Sequence, residues 1–150
     1  MEKFGAVIFL GLVMSTIAEG TQSNYSLSEC KSVQEKSGFN RQQFFSGDWF
    51  VTHAKAGTAT TLCRKYTTSL NSEGKLEVQY GYTQKMKTIK VSCTEKNKID
   101  QAPFILNCIV KKGEDTEYQY EVQKTILETD GNSALLYRCL QVGTQYIGDN

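Results

Sequence analysis

One proline, one histidine and one tryptophan in 150 residues are scarce enough to exclude a good deal. With His53 as the single imidazole, at most one Cys/His or Ser/His arrangement can exist. No Gly-x-Ser-x-Gly, His-Glu-x-x-His or phosphate-loop spacing occurs, so no enzyme is expected and no catalytic residue is assigned. A metal or haem site needs a positioned imidazole, and a lone histidine on a strand reads first as a wall or cavity residue; no metal and no cofactor are expected. Charge of one sign is also missing: 17 basic residues stand against 16 acidic ones, which gives no argument for a nucleic-acid partner. Beyond the first 20 residues no apolar run approaches the length that spans a bilayer, so no membrane partner is expected.

The one apolar run lies at the start. Lys3, the stretch Phe4 to Met14, then Ser15, Thr16, Ala18 and Gly20 have the layout of a secretory signal peptide, with a cut after Ala18 or Gly20. Residues 1–20 therefore read as leader and 21–150 as one secreted, monomeric domain. Removal of the leader takes away Lys3, Glu2 and Glu19 and leaves 16 basic against 14 acidic residues. About 130 residues suffice for one real core. Asn24-Tyr25-Ser26 is a glycosylation sequon near the mature N-terminus.

What is plentiful is tyrosine, eight in all, with threonine and valine spread along the chain. Leu76, Val78, Tyr80 and Tyr82 alternate with Glu77, Gln79, Gly81 and Thr83; Tyr118, Tyr120 and Val122 alternate with Gln119, Glu121 and Gln123. That is the period of a half-buried strand. Similar runs cover Trp49 to Lys55, Cys63 to Thr68, Thr88 to Thr94, Phe104 to Lys111 and Ala134 to Gln141, seven in total. Turn clusters at Asn71-Ser72-Glu73-Gly74, Lys112-Gly113-Glu114-Asp115 and Thr129-Asp130-Gly131-Asn132 separate them. The pattern predicts an all-β up-and-down barrel or sandwich.

Five cysteines, Cys30, Cys63, Cys93, Cys108 and Cys139, cannot all pair. Cys93 and Cys108 lie on consecutive strands, where a bridge staples one hairpin. Cys30 then ties the N-terminal arm to Cys139 or to Cys63. A leftover thiol is a nucleophile, an intermolecular bridge or a residue whose partner lies outside this sequence; the third reading is favoured, and the domain is expected to be incomplete at its C-terminus. Before the first strand, Asn40 can cap a short helical turn with Gln43 three residues on, and Phe44 and Phe45 make that turn apolar. Gly47 lets the chain bend into the strand, and Trp49 can plug a barrel end if its N–H finds a partner.

Cys30, Gly38-Phe39-Asn40, Phe44-Phe45, Gly47-Asp48-Trp49, Val51-Thr52-His53, Cys63, Gly74-Lys75-Leu76, Ser133-Ala134-Leu135-Leu136, Cys139, Gly143 and Gly148-Asp149 together resemble the salivary lipocalins of blood-feeding triatomine bugs, the triabin, pallidipin and nitrophorin group. The resemblance runs from Cys30 to Asn150. It implies a lipocalin-type antiparallel barrel of eight strands with a ligand cavity, of which about seven strands are present here. The eighth strand, a C-terminal helix and the partner of Cys63 are expected beyond Asn150. It implies Cys30 paired with Cys139, and it makes Cys93 with Cys108 similar to the extra bridge of the triabin-like branch.

Gly81 falls where the nitrophorin branch carries its haem-binding histidine, so haem and nitric-oxide carriage are disfavoured. That alignment turns Gly81, Gln79, Glu77 and Thr83 into the lumen, whereas plain alternation buries Leu76, Val78, Tyr80 and Tyr82; alternation is preferred for the lower part of the strand. The function implied is sequestration of a small host mediator of haemostasis or inflammation, an eicosanoid, ADP or a biogenic amine, with inhibition of platelet aggregation. Trp49, His53, Tyr80, Gly81, Tyr82, Phe104 and Tyr137 are the cavity candidates. The alternative is a protein partner, a clotting protease such as thrombin. A basic exosite calls for an acidic patch, and Glu114, Asp115 and Glu117 form the only compact one in a loop. The basic run from Lys85 to Lys90 and the pair Lys111-Lys112 read as a solvated edge or as a lure for an anion.

Overall fold

The computed structural model describes residues 29–55 and 61–149, with side chains to Tyr146. The expected leader (1–20) and the Asn24 sequon lie outside the described residues. A four-residue helix, α1 (Arg41–Phe44), precedes eight strands: β1 (Gly47–Phe50), β2 (Lys65–Leu70), β3 (Leu76–Gln84), β4 (Lys87–Glu95), β5 (Phe104–Lys112), β6 (Asp115–Thr129), β7 (Ala134–Val142) and β8 (Gln145–Asp149). All pair antiparallel with their chain neighbours, in the order β1 to β8, as one meandering sheet. Tyr80 on β3 touches Tyr120 on β6, and Lys124 on β6 reaches Tyr66 on β2, so the sheet rolls up around a common interior. Among the described residues β1 and β8 do not pair with each other. The architecture is that of a lipocalin-type barrel whose seam is left open.

Several boundaries differ from the expected ones. The first strand ends at Phe50, not Lys55, although the Val51 N–H still donates to the Arg64 carbonyl at 3.0 Å. The strand expected at Tyr118 to Gln123 runs for 15 residues, because its alternation is interrupted by a register shift between Ile126 and Glu128 that throws consecutive buried residues, Thr125 and Ile126, into one strand. An eighth strand, expected beyond Asn150, begins at Gln145: Gly143, at φ 57°, turns the chain back onto β7. The β3–β4 hairpin turns through Lys85 and Met86, both at positive φ (46° and 61°), a turn usually made by Asn-Gly.

Alternation decides which residues face inward. On β3 to β5 the buried set is Leu76, Val78, Ile89, Val91, Phe104, Leu106 and Val110, with the Cys93–Cys108 disulfide between β4 and β5 in the same layer. Each large member contributes roughly 1.5–3 kcal/mol by leaving water.

One end of the barrel is plugged by α1. Asn40 caps the helix, its Oδ1 accepting from the Gln43 N–H at 2.9 Å. The helix then drives Phe44 and Phe45 into a cluster with Phe39, Phe104 and Trp49, with ring centroids 4.4–6.0 Å apart. Arg41 enters the same end and forms an ion pair with buried Glu95, packed against the Phe45 and Phe104 rings.

Outside the barrel, the N-terminal arm is fastened across the faces of β6 and β7. Cys30 bonds Cys139, the Lys31 N–H donates to the Tyr137 hydroxyl at 2.8 Å, and the Lys36 N–H donates to the Ile126 carbonyl at 2.9 Å. Cys63 is a free, exposed thiol.

Candidate functional site

The end of the barrel opposite α1 holds a cavity of about 260 Å³. Its walls come from β3 to β7 and from Arg64, just before β2. Val91, Val110, Leu140 and Val142 make the apolar part, Tyr80, Tyr82, Tyr118 and Tyr120 the aromatic part, and Arg64, Arg138 and Gln84 the polar part. Strand register explains the assembly. Tyr80 lies opposite Val91, Val91 opposite Val110 and Val110 opposite Tyr118, so one layer of the sheet presents an apolar and phenolic belt.

The polar groups are organised around the tyrosines. The Tyr80 and Tyr120 hydroxyls hydrogen-bond across the lumen at 2.6 Å. Burial, and then the neighbouring phenol, hold Tyr80 above its ordinary pKa; Tyr120 is raised by burial as well. Both phenols stay protonated at neutral pH and keep a hydrogen to donate. The Arg64 guanidinium lies over the rings of Tyr80 and Tyr82, 5.1 and 4.8 Å from their centroids. Deeper in, Lys124 stands opposite Arg138 across the β6–β7 ladder, with its ammonium 5.2 Å from the Tyr66 centroid. Burial, aided by the Arg138 charge, pulls the lysine down to about 7.

No described residue lining the cavity is acidic. Glu95, the one buried carboxylate on the inner face of β4, is engaged by Arg41 at the plugged end. The lumen therefore holds Arg64, Arg138 and Lys124 with neutral phenols beside them, a surrounding that favours a negative group on a partly apolar molecule.

Of the residues expected to line the lumen, Tyr80 and Tyr82 do so. The others stand elsewhere. Trp49 lies at the plug, stacked on Phe44 at 4.4 Å with its Nε1–H donating to the Phe44 carbonyl. Phe104 is fully buried beneath Arg41.

Three more candidates lie outside the barrel altogether. Tyr137 is buried on the outward face of β7, under the N-terminal arm. His53 follows β1 as an exposed residue, its Nδ1 3.1 Å from the Thr52 hydroxyl. Gly81 lies opposite Lys90 on the outward face, exposed, where an added Cβ would come within 3.2 Å of the Ile89 carbonyl oxygen. The orientation implied by the nitrophorin alignment is thus reversed here: the alternating set Leu76, Val78, Tyr80 and Tyr82 faces in.

Arg64, Tyr66, Tyr118, Tyr120, Lys124 and Arg138 were not among the expected site residues. A signal for Arg138 was present. It shares the parity of Leu136 and Leu140, and its neighbour Cys139 is the anchor of an arm that lies outside the barrel, which puts Arg138 inside.

Comparison with known proteins agrees with this architecture. The family model described as Triabin matches residues 21–150. Triafestin-2 of Triatoma infestans is 30% identical over 97% of this chain and 72% of its own length. Nitrophorin-3 of Rhodnius prolixus is 26% identical over 99% and 76%. Pallidipin of Meccus pallidipennis is 28% identical over 93% and 73%. No solved structure matches the chain.

Proposed function

The chain belongs to the triabin family of triatomine salivary lipocalins, and from that premise we propose that it is secreted as a monomer and sequesters a small, acidic host mediator, so inhibiting platelet aggregation. The observation that carries this reading is the charge of the lumen: two arginines on its wall and no carboxylate among the described lining residues. An eicosanoid offers one carboxylate and a flexible apolar chain for the belt of Val91, Val110 and Leu140. A biogenic amine would bring a cation to a cationic site. The cavity, about 260 Å³, is smaller than the usual ligand pocket, which suits a flexible chain threading in end-on better than the rigid purine and the ribose of ADP.

Haem carriage is no part of the reading, because His53 lies outside the lumen and no other histidine exists. The protease-binding alternative draws little support from the acidic loop, since Glu117 is paired with Lys112 at 2.8 Å. Secretion rests on the leader pattern of residues 1–20.

Native mass spectrometry and calorimetry of the secreted protein against eicosanoids, ADP, serotonin and histamine test the proposal. Binding of an acidic mediator in preference to the amines is expected. Preference for an amine, or no binding together with nanomolar thrombin inhibition, would overturn it.

A further inference from the structure

Lys124 invites a question that anion capture does not answer. A salt-bridging lysine would be matched by a carboxylate, yet the described groups placed against this one are Tyr66 from β2, Arg138 opposite it on β7 and the apolar Phe104 opposite it on β5. None is acidic. The residue is also connected to the cavity: Arg138, its cross-strand neighbour, lines the wall, and so does Tyr80, whose ring lies 4.7 Å from that of Tyr66. Lys124 is half-buried, and an amine held against an aromatic ring beside a second cation is the arrangement that turns lysine into a nucleophile.

From this cluster we infer that Lys124 condenses with aldehydes entering the lumen, making the protein a covalent trap for apolar carbonyl compounds as well as a reversible binder. The neutral Nζ attacks the carbonyl carbon, a C–N bond forms and the π pair moves onto oxygen, which takes one amine proton to give a carbinolamine. The C–O bond then breaks, the hydroxyl leaves with the second amine proton as water, and the nitrogen pair closes the C=N bond. Amine and aldehyde become imine and water, with no oxidant or reductant. Arg138, opposite Lys124 on β7, supplies the positive charge that can stabilise the oxygen while it is negative. Depression of the lysine toward neutrality supplies the free amine at physiological pH, where surface lysines are almost wholly protonated.

The test is treatment of the secreted protein with hexanal and sodium cyanoborohydride from pH 6 to 10, with peptide mapping of the reduced hexyl adducts. Lys124 is expected to be labelled at pH 7 at least roughly tenfold faster than Lys111, with a rate that half-rises near pH 7 while the surface lysines rise toward pH 10. Labelling of Lys124 no faster than that of Lys111, or its absence, overturns the inference. The deciding rates are those of the unmodified protein; K124M serves as the site control and should lose only that adduct. Failure here leaves the capture of acidic mediators standing, because Arg64 and Arg138 carry that reading and are not the nucleophile.

Discussion

Removal of Glu95 should be among the most damaging single changes in the barrel, and the cost can be worked out from its surroundings. The side chain is fully buried, and its two oxygens accept from Arg41 Nη1 at 3.1 Å, Arg41 Nη2, the Leu76 N–H at 2.8 Å and the Ile99 N–H at 3.4 Å. Arg41 in turn donates to the Ile99 and Gly74 carbonyls at 3.0 and 3.3 Å, so one pair ties α1 to the loops before β3 and β5. In Glu95→Leu the guanidinium is left charged against the Phe45 and Phe104 rings, and breaking a buried pair in this way costs about 3–5 kcal/mol. Arg41→Met strands the carboxylate and should cost as much.

In the double variant Arg41→Met/Glu95→Leu neither charge remains, and the residual cost is the two backbone N–H groups, about 1–3 kcal/mol each. The double change should therefore destabilise less than the sum of the singles by at least about 2 kcal/mol. Urea unfolding followed by fluorescence of Trp49, the only tryptophan and itself stacked at this end, reports all three, with a shift of roughly 2 M for a 4 kcal/mol loss. Single variants that lose under 1 kcal/mol, or a double whose loss equals the sum, would refute the reasoning.

Other consequences can be checked alongside. Because the Lys124 pKa falls from 10.5 unfolded to about 7 folded, the unfolded chain binds the extra proton between those values; stability should rise with pH across that window, and the penalty is complete below it. Lys124→Met should accordingly gain most over the parent at pH 6 and least at pH 10 in urea midpoints, and a gain independent of pH would contradict the burial argument. Tyr120→Phe leaves the Tyr80 hydroxyl without its partner and should cost about 1–2 kcal/mol, whereas Tyr80→Phe/Tyr120→Phe should be nearly neutral by thermal unfolding. The Cys30–Cys139 bridge closes a loop with a sequence separation of 109 against 15 for Cys93–Cys108, so Cys139→Ser with Cys30→Ser should cost about 4–5 kcal/mol against about 3 for removal of the hairpin bridge, as read by denaturant midpoints. Arg138→Met should weaken capture of a carboxylate-bearing ligand about 10-fold or more by calorimetry and leave the affinity for an uncharged analogue nearly unchanged.

The strands were legible where inward and outward residues alternate without interruption, as from Leu76 to Tyr82 on β3 and from Phe104 to Val110 on β5. They were misread where tertiary contacts replace that signal. β6 continues past Gln123 through Lys124 and Thr125, polar residues that look like the end of a half-buried strand but are covered by Tyr66 inside and by the N-terminal arm outside. The Lys85-Met86 turn has neither glycine nor asparagine to announce it, and its backbone is set by the strands on either side. The plug was half visible: Asn40, Phe44, Phe45 and Trp49 could be read as a capped apolar turn, but nothing local links Arg41 to Glu95, 54 residues away.

By itself, the sequence determined the class of container: short alternating strands, an arm tethered by cysteine and a Gly-Asp-Trp entrance, features that depend on neighbours along the chain and survive without coordinates. Only the tertiary structure decided the chemistry of the interior. A one-residue difference in parity separates Tyr80 from Gly81 and Arg138 from Tyr137, and that parity is set by register across the whole sheet and by the arm lying outside it. The same physics gathers Arg64, Lys124 and Arg138, scattered over 75 residues of chain, into one cationic lumen with its carboxylate neutralised at the far end.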